Sequence, residues 1–227
     1  MPVSCMNSYE KYLILKDAFE RKQDTQKAAK MAAYMKELFR FYGIAAPERK
    51  ALYKEFLRQE KSGKIIDWEL LDRCYEDEHR EFQYFVCDYL SELKKYLAFE
   101  DICKIRKYIE AKQWWDTIDC FDRIIGDIGL RDDRVNELMF KWSKSDDMWL
   151  KRIAIDHQLC RKEKTDAVLL KKILINNLGS DEFFINKAIG WSLRDYSKTN
   201  PQWVREFIEE YKESLSTLSI REGSKYI

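Results

Sequence analysis

The sequence predicts an all-helical protein built as a solenoid of paired helices. Three observations carry that expectation. Breakers are scarce, with 7 Gly and 3 Pro in 227 residues. Apolar residues recur at three- and four-residue spacing along most of the chain. Helical segments also follow one another in pairs, at intervals of about 35 to 45 residues.

The elements follow in order. A first amphipathic segment covers 8–21. Residues 29–42 place Ala32, Met35, Leu38, Phe39 and Tyr42 at helical spacing, and Gly43 then ends that helix. Ala46-Pro47-Glu48 restarts it, with Pro47 suited to a first turn because its missing N–H would be unsatisfied there anyway. After a segment near 67–76, residues 81–97 carry Phe82, Phe85, Val86, Tyr89, Leu90, Leu93 and Leu97 as one stripe. Further segments lie near 101–111, 134–143, 147–161, 166–178, 183–198 and 201–214. Strand alternation is hard to find. There is no long Pro/Gly/Ser linker, so 1–227 reads as a single domain. Stacked helix pairs present a concave surface, and such a surface usually binds something extended.

Composition narrows the function classes. The apolar share of 45% is enough for a sizeable core. Lys plus Arg is 41 against 40 Asp plus Glu, so a global basic excess is missing and any hold on nucleic acid would have to come from a local face. Six cysteines (Cys5, Cys74, Cys87, Cys103, Cys120, Cys160) show no CxxC spacing, and only His79 and His157 accompany them. This inventory does not suit a zinc or iron–sulfur site, and the thiols are expected to be reduced and mostly buried. Residues 1–9 lack the basic-then-apolar pattern of a signal peptide. No apolar run approaches the roughly 18 residues of a membrane span. The chain is therefore expected in the cytoplasm.

Three segments could carry chemistry. In the run from Trp114 to Asp119, a helix would put Trp115 and Asp119 on one face, four residues apart. Trp114 and Ile118 would form an adjacent stripe suited to the core. A core Trp doublet with solvated aspartates fits the same spacing. In the run from Phe183 to Lys198, Lys187, Trp191, Arg194 and Lys198 share one face, and Ile185, Ala188, Ile189 and Leu193 share another. A row of cations can grip phosphates while an aromatic contacts sugar or base. A charge-laced surface helix with Asp195 pairing a neighbour is the plainer alternative. In the run from Met148 to Ile155, Arg152 interrupts the apolar pairs Trp149/Ile153 and Leu150/Ala154 from the side. A lone Arg of this kind is usually solvated.

Together these segments resemble the AlkD-type DNA alkylation-repair glycosylases, bacterial proteins of HEAT-like helical repeats. The matching stretches are QWWDTID at 113–119, DMWLKRIAI at 147–155 and EFFINKAIGWSLRDYSKTNP at 182–201. AYMKELFRFYGIAAPERK at 33–50 and LSIRE at 218–222 agree more weakly. The resemblance covers nearly the whole chain, and the long 182–201 block is its most specific part.

The resemblance implies a HEAT-like solenoid with a concave DNA-binding face. It implies hydrolysis of the N-glycosidic bond of N3- or N7-alkylated purines in duplex DNA, without flipping the base. By matching position, Trp115 and Trp191 would flank the damaged deoxyribose, Asp119 would sit beside its anomeric carbon, and Arg152 would hold a nearby phosphate. Tyr34 would line the cleft, and Lys187, Arg194 and Lys198 would contact the DNA backbone.

Such chemistry needs no cofactor or metal. A cationic base leaves without a general acid, and what remains to be stabilised is an oxocarbenium-like sugar, which a carboxylate and aromatic faces can stabilise. A monomer, associated with the nucleoid when on DNA, is expected. One departure stands out. Relatives can carry polar residues before Pro47 that approach the minor groove, where this chain has Ala45 and Ala46. A non-catalytic paralogue binding distorted or branched DNA, and a protein-binding solenoid, are the competing readings.

Overall fold

The structure is a computed structural model and describes residues 6–227. Cys5 and the start of the N-terminal stretch lie outside the described residues. Thirteen α-helices and no β-strand occur among the described residues, apart from one isolated bridge between Arg40 and His79. The all-helical repeat class holds. Among these residues, no helix is long and apolar enough to cross a membrane. The helices gather into two compact units, one ending at Leu97 and the other spanning Ala98–Ile227.

The first unit contains α1 (Ser8–Glu20), α2 (Thr25–Tyr34), α3 (Ala46–Gly63), α4 (Trp68–Glu76) and α5 (Arg80–Glu92). Asn7 and Glu10 form a reciprocal capping box at the start of α1, satisfying two backbone donors that the first turn leaves open. The core is aromatic: Phe19 packs edge-on against Tyr53 and Phe82, and Phe85 meets Tyr53, Phe56 and Tyr89 in the same way. Pro47 sits in the first turn of α3, as expected.

The helix expected over 29–42 is corrected. It ends at Tyr34, and Lys36 and Glu37 both take a left-handed backbone conformation. The reason is Glu81. This carboxylate is fully buried, and it accepts hydrogen bonds from the amides of Tyr42 (3.1 Å), Gly43 (2.9 Å) and Ile44 (3.2 Å). A helix continued through Tyr42 would turn these amides elsewhere and leave a buried charge unpaired, the costlier outcome. Met35, Phe41 and Tyr42 are still buried, but from irregular backbone. Gly43 holds φ +90°, and a Cβ there would lie 2.2 Å from the Asp24 carbonyl, so the turn needs glycine for two reasons.

The second unit contains α6 (Ile102–Glu110), α7 (Trp115–Gly129), α8 (Arg134–Trp142), α9 (Met148–Asp156), α10 (Ala167–Ile175), α11 (Phe183–Ser197), α12 (Pro201–Glu210) and α13 (Thr217–Gly223). The segment expected at 147–161 stops at Asp156, and Cys160 and Lys162 then adopt positive φ. Of the described cysteines, Cys74 and Cys87 are buried, while Cys103 and Cys160 are exposed and Cys120 is intermediate. The expectation of mostly buried thiols is thus corrected.

Candidate functional site

Helices α7, α9 and α11 are tied together at their starts. Asp147 caps α9 by accepting from the Trp149 amide (2.7 Å), and its other oxygen accepts from the Gln113 side chain (2.7 Å), which leads into α7. Trp114, Trp149 and Phe184 then cluster, with ring centroids 5.0 to 5.8 Å apart. Each ring comes from the opening of a different helix, so the cluster sets the register of all three. Such aromatic contacts stabilise beyond their buried area. Trp114 therefore anchors the helix start, but from the extended N-cap position just before α7 rather than from a helical stripe shared with the fully buried Ile118.

With the helix starts aligned, Asp119 of α7, Arg152 of α9 and Trp191 of α11 come together around one guanidinium, while Trp115 opens α7 as a half-buried residue. Arg152 is 1% exposed, although its sequence context pointed to solvent. Its Nε and Nη2 donate to the two oxygens of Asp119 at 2.8 and 3.0 Å, and its Nη1 donates to the Phe184 carbonyl at 2.7 Å. The guanidinium carbon stands 5.1 Å from the Trp191 ring centroid. A two-pronged, charge-assisted pair of this kind fixes orientation as well as charge. Asp119 keeps 22% of its side-chain surface open, so Arg152 positions from behind a carboxylate that still meets solvent.

Beneath this pair lie Asp122 and Asp156, both almost wholly buried. Nη2 of Arg152 is 3.9 Å from Asp156, and Nε of Arg123 is 3.7 Å from Asp122. Ser192 of α11 donates to the Ile155 carbonyl (2.8 Å) and to Asp156 (3.3 Å). Burial pushes both carboxyl groups up from the usual carboxylate range, and the neighbouring carboxylates add to the shift. One oxygen each of Asp119, Asp122 and Asp156 lies within 4.8 Å of the others, a spacing that could also hold a cation.

The cationic face of α11 is present. Lys187 and Arg194 stand 5.8 and 5.9 Å from the Trp191 ring centroid, and Lys198 lies over Tyr226 at 5.1 Å. Two of these cations have a partner that the sequence did not suggest, Glu222 of α13, which accepts from Lys187 (3.0 Å), Arg194 (2.9 Å) and also Lys225 (2.9 Å). Hydrogen bonds from Lys225 and Lys187 hold Glu222 down at about 2. Gly190 makes this approach possible, because a Cβ there would come 2.6 Å from that of Glu222. Asp195, the alternative partner, instead accepts from the Cys160 amide at 2.7 Å. Residues 218–222 had drawn notice only as a weak resemblance, so no signal in spacing pointed to Glu222.

Tyr34 belongs to the first unit, where it closes α2 and is 70% exposed. Ala45 caps α3 without a side-chain hydrogen bond, and Ala45 and Ala46 are both exposed.

A partly open carboxylate held by a buried guanidinium thus lies near a helix face that carries several cations. The family model of DNA alkylation repair enzymes matches residues 15–227, and the chain belongs to that family. It is also similar to a solved structure described as a predicted DNA alkylation repair enzyme from Enterococcus faecalis. The two share 39% identity and a TM-score of 0.83, over 90% of this chain and 96% of that one. No curated protein matches. Family membership makes DNA the substrate class and repair of alkylation damage the task.

Proposed function

We propose that this chain is a DNA glycosylase that releases cationic N3- and N7-alkylated purines from duplex DNA, acting as a monomer and without flipping the base. The observation that carries the reading is the Asp119 carboxylate, partly open to solvent and gripped from behind by the fork of Arg152. A positively charged base departs without a proton donor, so catalysis rests on stabilising the sugar as it gains oxocarbenium character. Asp119 does this electrostatically and orients the attacking water, and Trp115 and Trp191 offer their faces to the same charge. Lys187, Arg194 and Lys198 hold phosphates, and Tyr34 lines the DNA path. Arg152 is assigned a positioning role toward Asp119, because three of its five N–H donors are already committed inside the protein.

The test is release of 7-methylguanine and 3-methyladenine from methylated duplex DNA. Release by the intact chain is expected, and its absence would sink the reading. Binding of DNA without release would favour a non-catalytic paralogue. Asp119→Asn is expected to lose about 100-fold or more in release rate while keeping DNA affinity, since an amide cannot stabilise the developing charge but no longer repels phosphate.

A further inference from the structure

Two carboxyl groups, Asp122 and Asp156, crowd the interior behind Asp119 of the proposed reaction centre, and few cations are available to them. Arg152 spends two donors on Asp119, leaving only a 3.9 Å approach to Asp156. Arg123 reaches Asp122 at 3.7 Å and donates instead to the Asp156 backbone carbonyl. Asp122 Oδ1 and Asp156 Oδ2 are both buried and accept no hydrogen bond. Two such oxygens cannot both belong to charged groups without a large desolvation cost.

The other packed elements do not supply the missing positive charge. α11 contributes the Ser192 hydroxyl. The residues that α6 buries are Ile102, Ile105, Tyr108 and Ile109, those of α8 are Val135, Met139 and Trp142, and those of α10 are Leu169, Leu170, Ile173 and Leu174, so Tyr108 is the one titratable group among them and none is a cation. His157, next to Asp156, is held neutral, its ring pushed down to about 3 by burial with Arg161 adding to the effect. The charged groups facing the pair are therefore Asp119 and Arg123 of α7 and Arg152 of α9.

We infer that Asp122 and Asp156 are positioning residues that share one proton behind Asp119, and that this proton keeps the Arg152 fork committed to Asp119. With the proton bound, Asp156 competes weakly for the guanidinium. When the proton leaves to solvent, Asp156 becomes a full carboxylate at i,i+4 from Arg152. It then draws the guanidinium inward, and Asp119 loses its fixed orientation. Burial raises both carboxyl groups, consistent with the proton being held at pH values where an ordinary aspartate is ionised. A divalent cation is the competing occupant of this carboxylate cluster, but Arg152 already stands among the same oxygens.

The inference rests on the glycosylase reading for its consequence, but the proton itself can be read without turnover. Infrared difference spectra of the intact chain across a pH series should show a protonated-carboxyl C=O stretch that titrates well above the usual carboxylate range. The band should be lost or shifted in both Asp156→Asn and Asp122→Asn. Base release by the wild type should fall by about tenfold or more across the same titration. The Asp156→Asn profile should be flat there, because an amide has no proton to lose; a purely structural role for Asp156 would lower the rate without changing the shape of the profile.

Absence of the band in the wild type overturns the inference, as does its persistence in both variants or an Asp156→Asn profile that follows the wild type. Loss of the wild-type band on adding Mg2+ or Mn2+ overturns it in favour of a metal site. If Asp156→Asn does not fold, the wild-type band and Asp122→Asn carry the test. If the wild type releases no base at any pH, the glycosylase reading fails, and the band still decides whether the pair shares a proton.

Discussion

Two charge clusters meet at Trp191, and they are balanced in opposite ways. In the inner one, Asp119, Asp122 and Asp156 crowd around the single buried guanidinium of Arg152, with Arg123 at the edge. In the outer one, Lys187, Arg194 and Lys225 crowd around the single carboxylate of Glu222. The inner cluster is short of cations and mostly buried, with only Asp119 and Arg123 reaching solvent. The outer has cations to spare, and those three keep part of their side chains exposed. On the glycosylase reading proposed above, a site that holds an anionic backbone while stabilising a positive sugar needs both: excess positive charge where phosphates pass, and a fixed negative charge at the sugar. The contrast also explains how a chain with nearly balanced charge can offer a basic face.

The comparison breaks most sharply at Arg152. Arg152→Ala leaves buried carboxylates without their partner, so chemical denaturation should show a loss of about 3–5 kcal/mol. Base release should fall with it, because Asp119 is no longer held. A loss under 1 kcal/mol would mean that the inner network does not depend on this guanidinium.

Gly190→Ala tests the outer cluster through packing. The added methyl meets the Cβ of Glu222 at 2.6 Å and the Ser219 carbonyl at 3.2 Å, so α13 must shift. The expected cost is about 1–3 kcal/mol, and salt-dependent DNA binding should change with it.

The smallest effects are the most diagnostic, because the two clusters should respond to pH with opposite signs. Asp122 and Asp156 are raised, so the folded state binds more protons than the unfolded one. Stability from this pair is greatest at acid pH and declines as pH rises from the unfolded aspartate range through the folded titration. Glu222 is depressed to about 2, so its contribution is present above the unfolded glutamate value and is lost as pH falls toward 2. Melting temperatures across pH should therefore show Asp156→Asn removing a decline on the alkaline side, and Glu222→Gln removing one on the acid side. Slopes of the same sign in both variants would refute the contrast. Glu222→Gln should also steepen the salt dependence of DNA binding by about one counterion, as cations are freed to meet phosphates.

Much of this was legible in the sequence where local spacing decides the outcome. The apolar and cationic faces of α11 follow from its residues alone, because a helix of that length fixes which side chains share a face. The placing of Trp115 and Asp119 four residues apart on α7 follows in the same way, whereas Trp114 precedes the helix in extended backbone and its anchoring contacts could not be read from helical phase. Where a distant partner decides the outcome, spacing misled. The 29–42 pattern reads as a helix, yet Glu81, some forty residues on, takes the amides of Tyr42, Gly43 and Ile44 and bends the chain.

The sequence by itself thus determined the all-helical class, most helix positions and the residue types brought to the site, since propensity and periodicity are local properties. Only the tertiary structure decided that Arg152 is buried against Asp119 rather than solvated, that Glu222 serves three cations, and that Asp122 and Asp156 lie together without cations enough to match them. Those outcomes depend on burial and on charges tens of residues apart, and the energy of a charge is set by what surrounds it in space rather than by its neighbours along the chain.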